Sequence, residues 1–171
     1  MKHQKLYHLV LAALFAALTY VATNIIHVPI PATDGYINLG DCVVLLGAFL
    51  LGPVYGAAAG GIGSALADII SGYAVFAPGT FVIKALIAVI AALIMKALGS
   101  KTKAAPIVAS IAGEAWMLLG YFLYESIFLG YGLAAAGSIG GNAIQAVAGV
   151  ILAAALYAVL SKVPQIKKAA A

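Results

Sequence analysis

The chain has 171 residues, 65% of them apolar and 8% charged, with a net charge of +4 and a mean hydropathy of +1.13. A water-soluble domain carries about a quarter of its residues charged, so this composition excludes one and specifies a membrane protein. The single cysteine, Cys42, excludes an internal disulfide and any cysteine-clustered metal site.

Six apolar segments are predicted, at residues 6–26, 38–51, 54–73, 79–98, 106–129 and 135–160. At 1.5 Å per residue, about 20 residues cross some 30 Å of hydrocarbon. Five segments meet that length. The second is short and ends at Gly52-Pro53, as a re-entrant segment would. The first is not expected to be a removable signal peptide. It runs unbroken to Ile26, with Thr23, Asn24 and His27 where small residues would be needed for cleavage. Residues 1–171 are expected to form one integral membrane domain.

There is no arginine, and eight of the nine lysines fall in three groups: Lys2 and Lys5; Lys96, Lys101 and Lys103; Lys162, Lys167 and Lys168. The positive-inside rule puts all three in the cytoplasm. An even number of crossings must then separate neighbouring groups, so segment 38–51 has to cross. The expectation is a six-helix all-α bundle with both termini cytoplasmic. The lysines account for the net charge, so no nucleic-acid partner is expected. The outer loops, 27–37, 73–78 and 130–134, carry no lysine. The first of them is long and rich in turn formers, either a simple connector or a lid over an outward-facing pocket.

Asp68, Lys84, Glu114 and Glu125 fall within bilayer-spanning segments. A charge at that depth costs roughly 2.5–3.5 kcal/mol on insertion scales, so it faces a protein interior or a polar cavity. Helical spacing groups Gly61, Ser64, Asp68 and Ser71 on one stripe; Thr80 with Lys84; Glu114, Leu118, Tyr121 and Glu125; and Ser138, Asn142, Gln145 and Gly149. Asp68 and Lys84 both lie roughly 8–9 Å below the outer surface, with Glu125 and Asn142 at similar depth. Two readings stay open for the first two: an ion pair pinning two helices, or part of a binding site. Glu114 alone could be a protonated structural carboxyl. Trp116, Tyr121 and Tyr124 could each serve packing or interfacial anchoring. Together, carboxylates, a lysine, amides and aromatics at one depth suit a small, polar, flat solute.

Ala12, Ala13, Ala16 and Ala17 give helix 1 two overlapping small-xxx-small patterns, and residues 56–63 add a second run of small residues. Small residues let helices approach closely in lipid. In residues 56–63 they are expected to serve internal packing; on helix 1 the alanine face is also open to docking another protein. No P-loop and no HExxH motif occurs. All three histidines lie in or near the first helix, away from Ser64, so a serine hydrolase is not expected, although a Ser64–Lys84 dyad stays open. No paired broken helices mark an inverted-repeat carrier.

The ordered series Asp34-Gly-Tyr-Ile-Asn-Leu-Gly-Asp41, Leu51-Gly-Pro53, Gly63-Ser-Ala-Leu-Ala-Asp68, Ser71-Gly-Tyr73 and Pro78-Gly-Thr-Phe-Val-Ile-Lys84 resembles the S components of energy-coupling factor (ECF) vitamin transporters. It is most similar to the riboflavin-type group, which includes members linked to vitamin B6 and hydroxymethylpyrimidine. The resemblance implies a six-helix S-component fold in a bacterial cell membrane, with a vitamin bound near the outer face under the loop between helices 1 and 2. It implies an AxxxA motif on helix 1 that docks on a transmembrane coupling subunit, here Ala12/Ala16 or Ala13/Ala17. Two cytoplasmic ATPases would supply energy, so no enzyme activity, cofactor or metal is expected of this chain.

The site is expected among Asn38, Asp41, Asp68, Lys84, Tyr121, Glu125, Asn142 and Gln145. Five acids against one intramembrane lysine disfavour a strongly anionic solute. A neutral or weakly basic heteroaromatic with hydroxyls, such as a pyridoxine-like B6 vitamer or hydroxymethylpyrimidine, fits better, with riboflavin behind them. A stand-alone small-solute carrier is the reading from another class, and a small intramembrane enzyme a third.

Overall fold

The computed structural model describes residues 2–30, 33–99, 102 and 104–163; Lys101, Lys103, Lys167 and Lys168 lie outside them. Five helices are long and apolar enough to cross a bilayer. They are α1 (Lys2–Ile25), α2 (Gly40–Ile70), α3 (Ala77–Leu98), α4 (Ala105–Leu123) and α5 (Ile139–Leu160). A π-helical turn, Tyr124–Phe128, extends α4, and a 3-10 helix, Gly132–Ser138, leads into α5.

The second and third predicted segments form the single run α2, but α2 is not straight. Gly52 has φ 77° and ψ −175°, a conformation that side-chain-bearing residues rarely adopt. Pro53 then sits where a new helix starts, a position that needs no backbone N–H. The chain reverses there. A Cβ on Gly56 would lie 2.9 Å from the Ala48 Cα, and one on Gly60 would lie 2.9 Å from the Val44 side chain. In a continuous helix those pairs would stand about 12 and 24 Å apart. α2 is therefore a hairpin of two arms, 40–51 and 53–70.

The expected loop 27–37 is a β-hairpin, which corrects the purely helical expectation. Strand β1 (His27–Ile30) pairs antiparallel with β2 (Gly35–Asn38), His27 opposite Asn38 and Ile30 opposite Gly35. Val28, Ile30, Tyr36 and Ile37 are residue types that suit strands. Asp34 makes the turn at φ 53°, a conformation its short polar side chain tolerates.

Leu45, Ile87 and Met117 are fully buried where α2, α3 and α4 meet. α1 lies directly on the second arm of α2. A Cβ on Gly63 would run into the Ala16 carbonyl oxygen and come within 2.8 Å of the Thr19 Cβ. The small residues of 56–63 thus serve internal packing. On α1, Ala12 is buried against Leu50, Leu51 and Ala59, whereas Ala13 and Ala17 are exposed.

Candidate functional site

At the end of the bundle beneath the β-hairpin, α1, β2, α2, α3, α4, its π turn and α5 contribute polar side chains to one pocket. Seven of the eight residues expected there line it: Asn38, Asp68, Lys84, Tyr121, Glu125, Asn142 and Gln145. Asp41 does not. It lies just behind the wall, fully buried, and holds the wall in place.

The ion pair differs from the expected one. Lys84 pairs with Asp41, not Asp68. Asp41 is in the first turn of α2, which brings its carboxylate to α3 from below the pocket. Its Oδ1 accepts from Lys84 Nζ, and its Oδ2 accepts from Gln145 Nε2 at 2.6 Å. Gln145 Oε1 in turn accepts the Asn38 backbone N–H at 2.6 Å. Lys84 also reaches Met117 Sδ at 3.6 Å and stands 5.5 Å from the Tyr121 ring centre. Lys84 is 1% exposed, and its charge is neutralised by these contacts.

Asp68 is held by the hairpin instead. Tyr36 donates its hydroxyl to Asp68 Oδ1 at 2.5 Å. The Tyr36 ring stacks on His27 with centroids 3.7 Å apart and packs against Tyr73 at 4.7 Å. Burial, aided by the Asp68 carboxylate, pushes the Tyr36 phenol well above its ordinary pKa, so it keeps its proton and donates. Burial lowers the His27 pKa, with Asp68 opposing the shift. The hairpin is thus fastened at its base through Gln145 and above the pocket through Tyr36.

Glu125 lies in the π turn, where the widened helix directs its carboxylate inward. Such turns often mark functional sites. Its Oε2 accepts from Ser138 Oγ at 2.6 Å, and Oε1 faces the Gly35 backbone. Thr80 Oγ1 and the Tyr121 hydroxyl are 3.0 Å apart. Glu114 is buried behind the pocket between Asp41 and Gly149, with neither oxygen hydrogen-bonded. Trp116 donates to the Ile83 carbonyl and Tyr124 to the Val75 carbonyl, so both serve packing.

Sequence reasoning missed Thr23, Tyr36 and Phe76 as lining residues, and left Ser64 and Thr80 on polar stripes without a role. The free space among these side chains is about 20 Å³, enough for one water. Larger grooves lie along the outside of the bundle, about 590 Å³ between α1 and α2 and about 420 Å³ between α4 and α5. They are open and lined almost wholly by aliphatic side chains; Glu114 is the one charged residue along them, and it is buried.

A bundle of apolar helices around one covered polar pocket is the architecture of a membrane solute-binding subunit. A solved structure described as the S component of a bacterial ECF transporter shares this fold, with a TM-score of 0.75 and 23% identity, covering 92% of this chain and 97% of that one. A protein of Pyrococcus woesei, described as an uncharacterized protein in a gap 3' region, is 39% identical over 142 residues, 83% of this chain and 93% of its own. Residues 3–162 match the family model for the S component of ECF-type riboflavin transporters, and the chain belongs to that family. It is a transport subunit of the S-component type.

Removing one partner of a buried pair strands the other charge, at a cost of about 3–5 kcal/mol. Lys84→Met should therefore lower the melting temperature in detergent sharply, and adding Asp41→Leu should recover much of the loss. A Lys84→Met protein as stable as the native one would show that the pair does not hold the pocket wall.

Proposed function

We propose that the protein binds a flat, water-soluble vitamin beneath the β-hairpin, and that the vitamin is a pyridoxine-like B6 vitamer or hydroxymethylpyrimidine. One observation carries this reading. The one cation among the described pocket residues is neutralised by Asp41, while Asp68 and Glu125 keep carboxylate oxygens towards the pocket. Such a site disfavours phosphate and carboxylate groups and accepts hydroxyls or a protonated ring nitrogen. Tyr36, Phe76 and Tyr121 supply ring faces. Riboflavin is the second reading, favoured by the family's description. Mass spectrometry of small molecules released from detergent-purified protein tests both. A B6 vitamer or hydroxymethylpyrimidine is expected; a flavin mass with its yellow absorbance would assign riboflavin instead.

The proposed topology is six crossings, counting the two arms of α2 separately, with both termini in the cytoplasm. With α2 counted as one crossing, Lys96 at the end of α3 would face outward, opposite Lys5. With the hairpin counted as two, Lys5, Lys96 and Lys162 share one side, as the positive-inside rule requires. The turn at Gly52 then faces the cytoplasm and the β-hairpin faces outward. A cysteine placed at Val28, exposed on the β-hairpin, should be labelled by an impermeant reagent from outside and one at Ser100 only from the cytoplasm. Labelling of both from one side would overturn this arrangement.

Transport is proposed to depend on a transmembrane coupling subunit and two ATPases in a bacterial cell membrane, with α1 as the docking surface. Ala12 packs inward and the Ala16 carbonyl lies against Gly63, so Ala13 and Ala17 present the open register. Ala13→Trp should leave vitamin affinity within about twofold, because it is remote from the pocket, while abolishing uptake in cells. Native uptake by Trp variants at Ala13 and Ala17 would leave that face to lipid.

A further inference from the structure

We infer that Thr23, Ser64 and Asp68 form a subsite on the α1–α2 wall of the pocket that recognises an alcohol group on the ligand. The inference rests on the proposal above that this pocket binds the solute, and goes on to say which part of the solute each wall reads.

Thr23 Oγ1, Ser64 Oγ and Asp68 Oδ2 are all buried, all belong to pocket-lining residues, and none has a hydrogen-bond partner in the protein. Buried polar groups are nearly always paired, and each exception calls for a reason. A serine or threonine inside a helix can bond to the carbonyl four residues back, and neither of these does so. Thr19, Thr33 and Ser110 also carry unpartnered hydroxyls and Glu114 an unpartnered carboxyl, but none of the four lines this pocket. Only the conjunction of an unused polar atom with a pocket-facing residue points to a ligand.

The chemistry of the three atoms narrows what they take. Ser64 and Asp68 are four residues apart and share one helix face. Asp68 Oδ1 is occupied by Tyr36, leaving Oδ2 to accept. Thr80 stands beside Asp68, but its hydroxyl is shared with Tyr121. A carboxylate oxygen only accepts, whereas the two hydroxyls can donate or accept. An alcohol can donate to Asp68 and accept from Ser64 or Thr23 at once. A ring carbonyl could not donate, and a methyl could do neither. The subsite therefore reads a hydroxymethyl or polyol arm and leaves the ring to Phe76 and Tyr121 on the other side.

The test compares matched probes: pyridoxine against 4-deoxypyridoxine, hydroxymethylpyrimidine against its methyl analogue without the hydroxyl, and riboflavin against lumiflavin, which lacks the polyol arm. Affinities are measured by titration on detergent-purified native, Thr23→Val, Ser64→Ala and Thr23→Ser proteins, using the pair whose hydroxylated member binds the native protein. Thr23→Val and Ser64→Ala should each weaken that member by about 5- to 30-fold while changing the deoxy member less than about twofold. Thr23→Ser, which keeps the hydroxyl, should restore the preference. Ligand-free melting temperatures should hold or rise, because an unpaired buried hydroxyl is being removed. If both variants keep the native preference between paired probes, the subsite is overturned while the S-component assignment stands. If no pair binds the native protein, the proposed ligand class fails first and the subsite with it.

Discussion

The Asp41–Lys84 pair is the contact on which the pocket depends. Asp41 comes from the start of α2 and Lys84 from α3. Through Gln145 the pair reaches α5 and the backbone of Asn38 in the hairpin; through Met117 it touches α4. One buried charge pair thus ties together four helices and the β-hairpin. A buried ion pair often contributes little net stability, since desolvation offsets the attraction. Its value here is register. A sheltered lysine has few places to put its charge, and each satisfied atom fixes one more element.

The pair also sets the electrostatics of the pocket. Lys84 lines the pocket, yet Asp41 holds it from behind. Asp68 and Glu125 are left facing inward, restrained by neutral hydroxyls from Tyr36 and Ser138. The pocket lining combines carboxylates, hydroxyls, amides and aromatic rings around one paired lysine, although the chain as a whole carries a net charge of +4. Among the described lysines, Lys5, Lys96 and Lys162 lie at or next to helix ends, away from the pocket lining.

Much of this was legible in the sequence because lipid makes polar residues conspicuous. Asp68, Lys84 and Glu125 could not face hydrocarbon, and helical spacing placed their neighbours. The pairing of Lys84 was not legible. Asp68 and Asp41 were both expected at the site, and helical spacing does not show that the start of α2 carries Asp41 to Lys84 from behind the pocket wall. Thr23, Tyr36 and Phe76 were missed for a different reason. Each is at home in an apolar segment or a loop, so nothing in its type demands a polar environment. Glu125 was found by its charge, but the π turn that aims it inward leaves no mark in hydrophobic period. The hairpin was hidden by Pro29 and Pro31, which read as loop, although Val28, Ile30, Tyr36 and Ile37 favour strands.

The same contacts determine how the pocket can admit a solute. About 20 Å³ of free space cannot take even a single aromatic ring, so entry requires protein atoms to move. At the base of the hairpin, the Asn38 N–H is held by Gln145 and the Asn38 side chain accepts from the Gly40 N–H at 2.8 Å. Moving that end would disturb the hydrogen bonds that hold Asp41. Further along, one hydroxyl bond and the packing of three rings hold Tyr36 in place. Were Tyr36 to separate from Asp68, none of the hydrogen bonds that hold Asp41 and Lys84 would be broken. Asp68 Oδ1 would then stand unpartnered beside Oδ2, so a solute entering by that route would meet two acceptors.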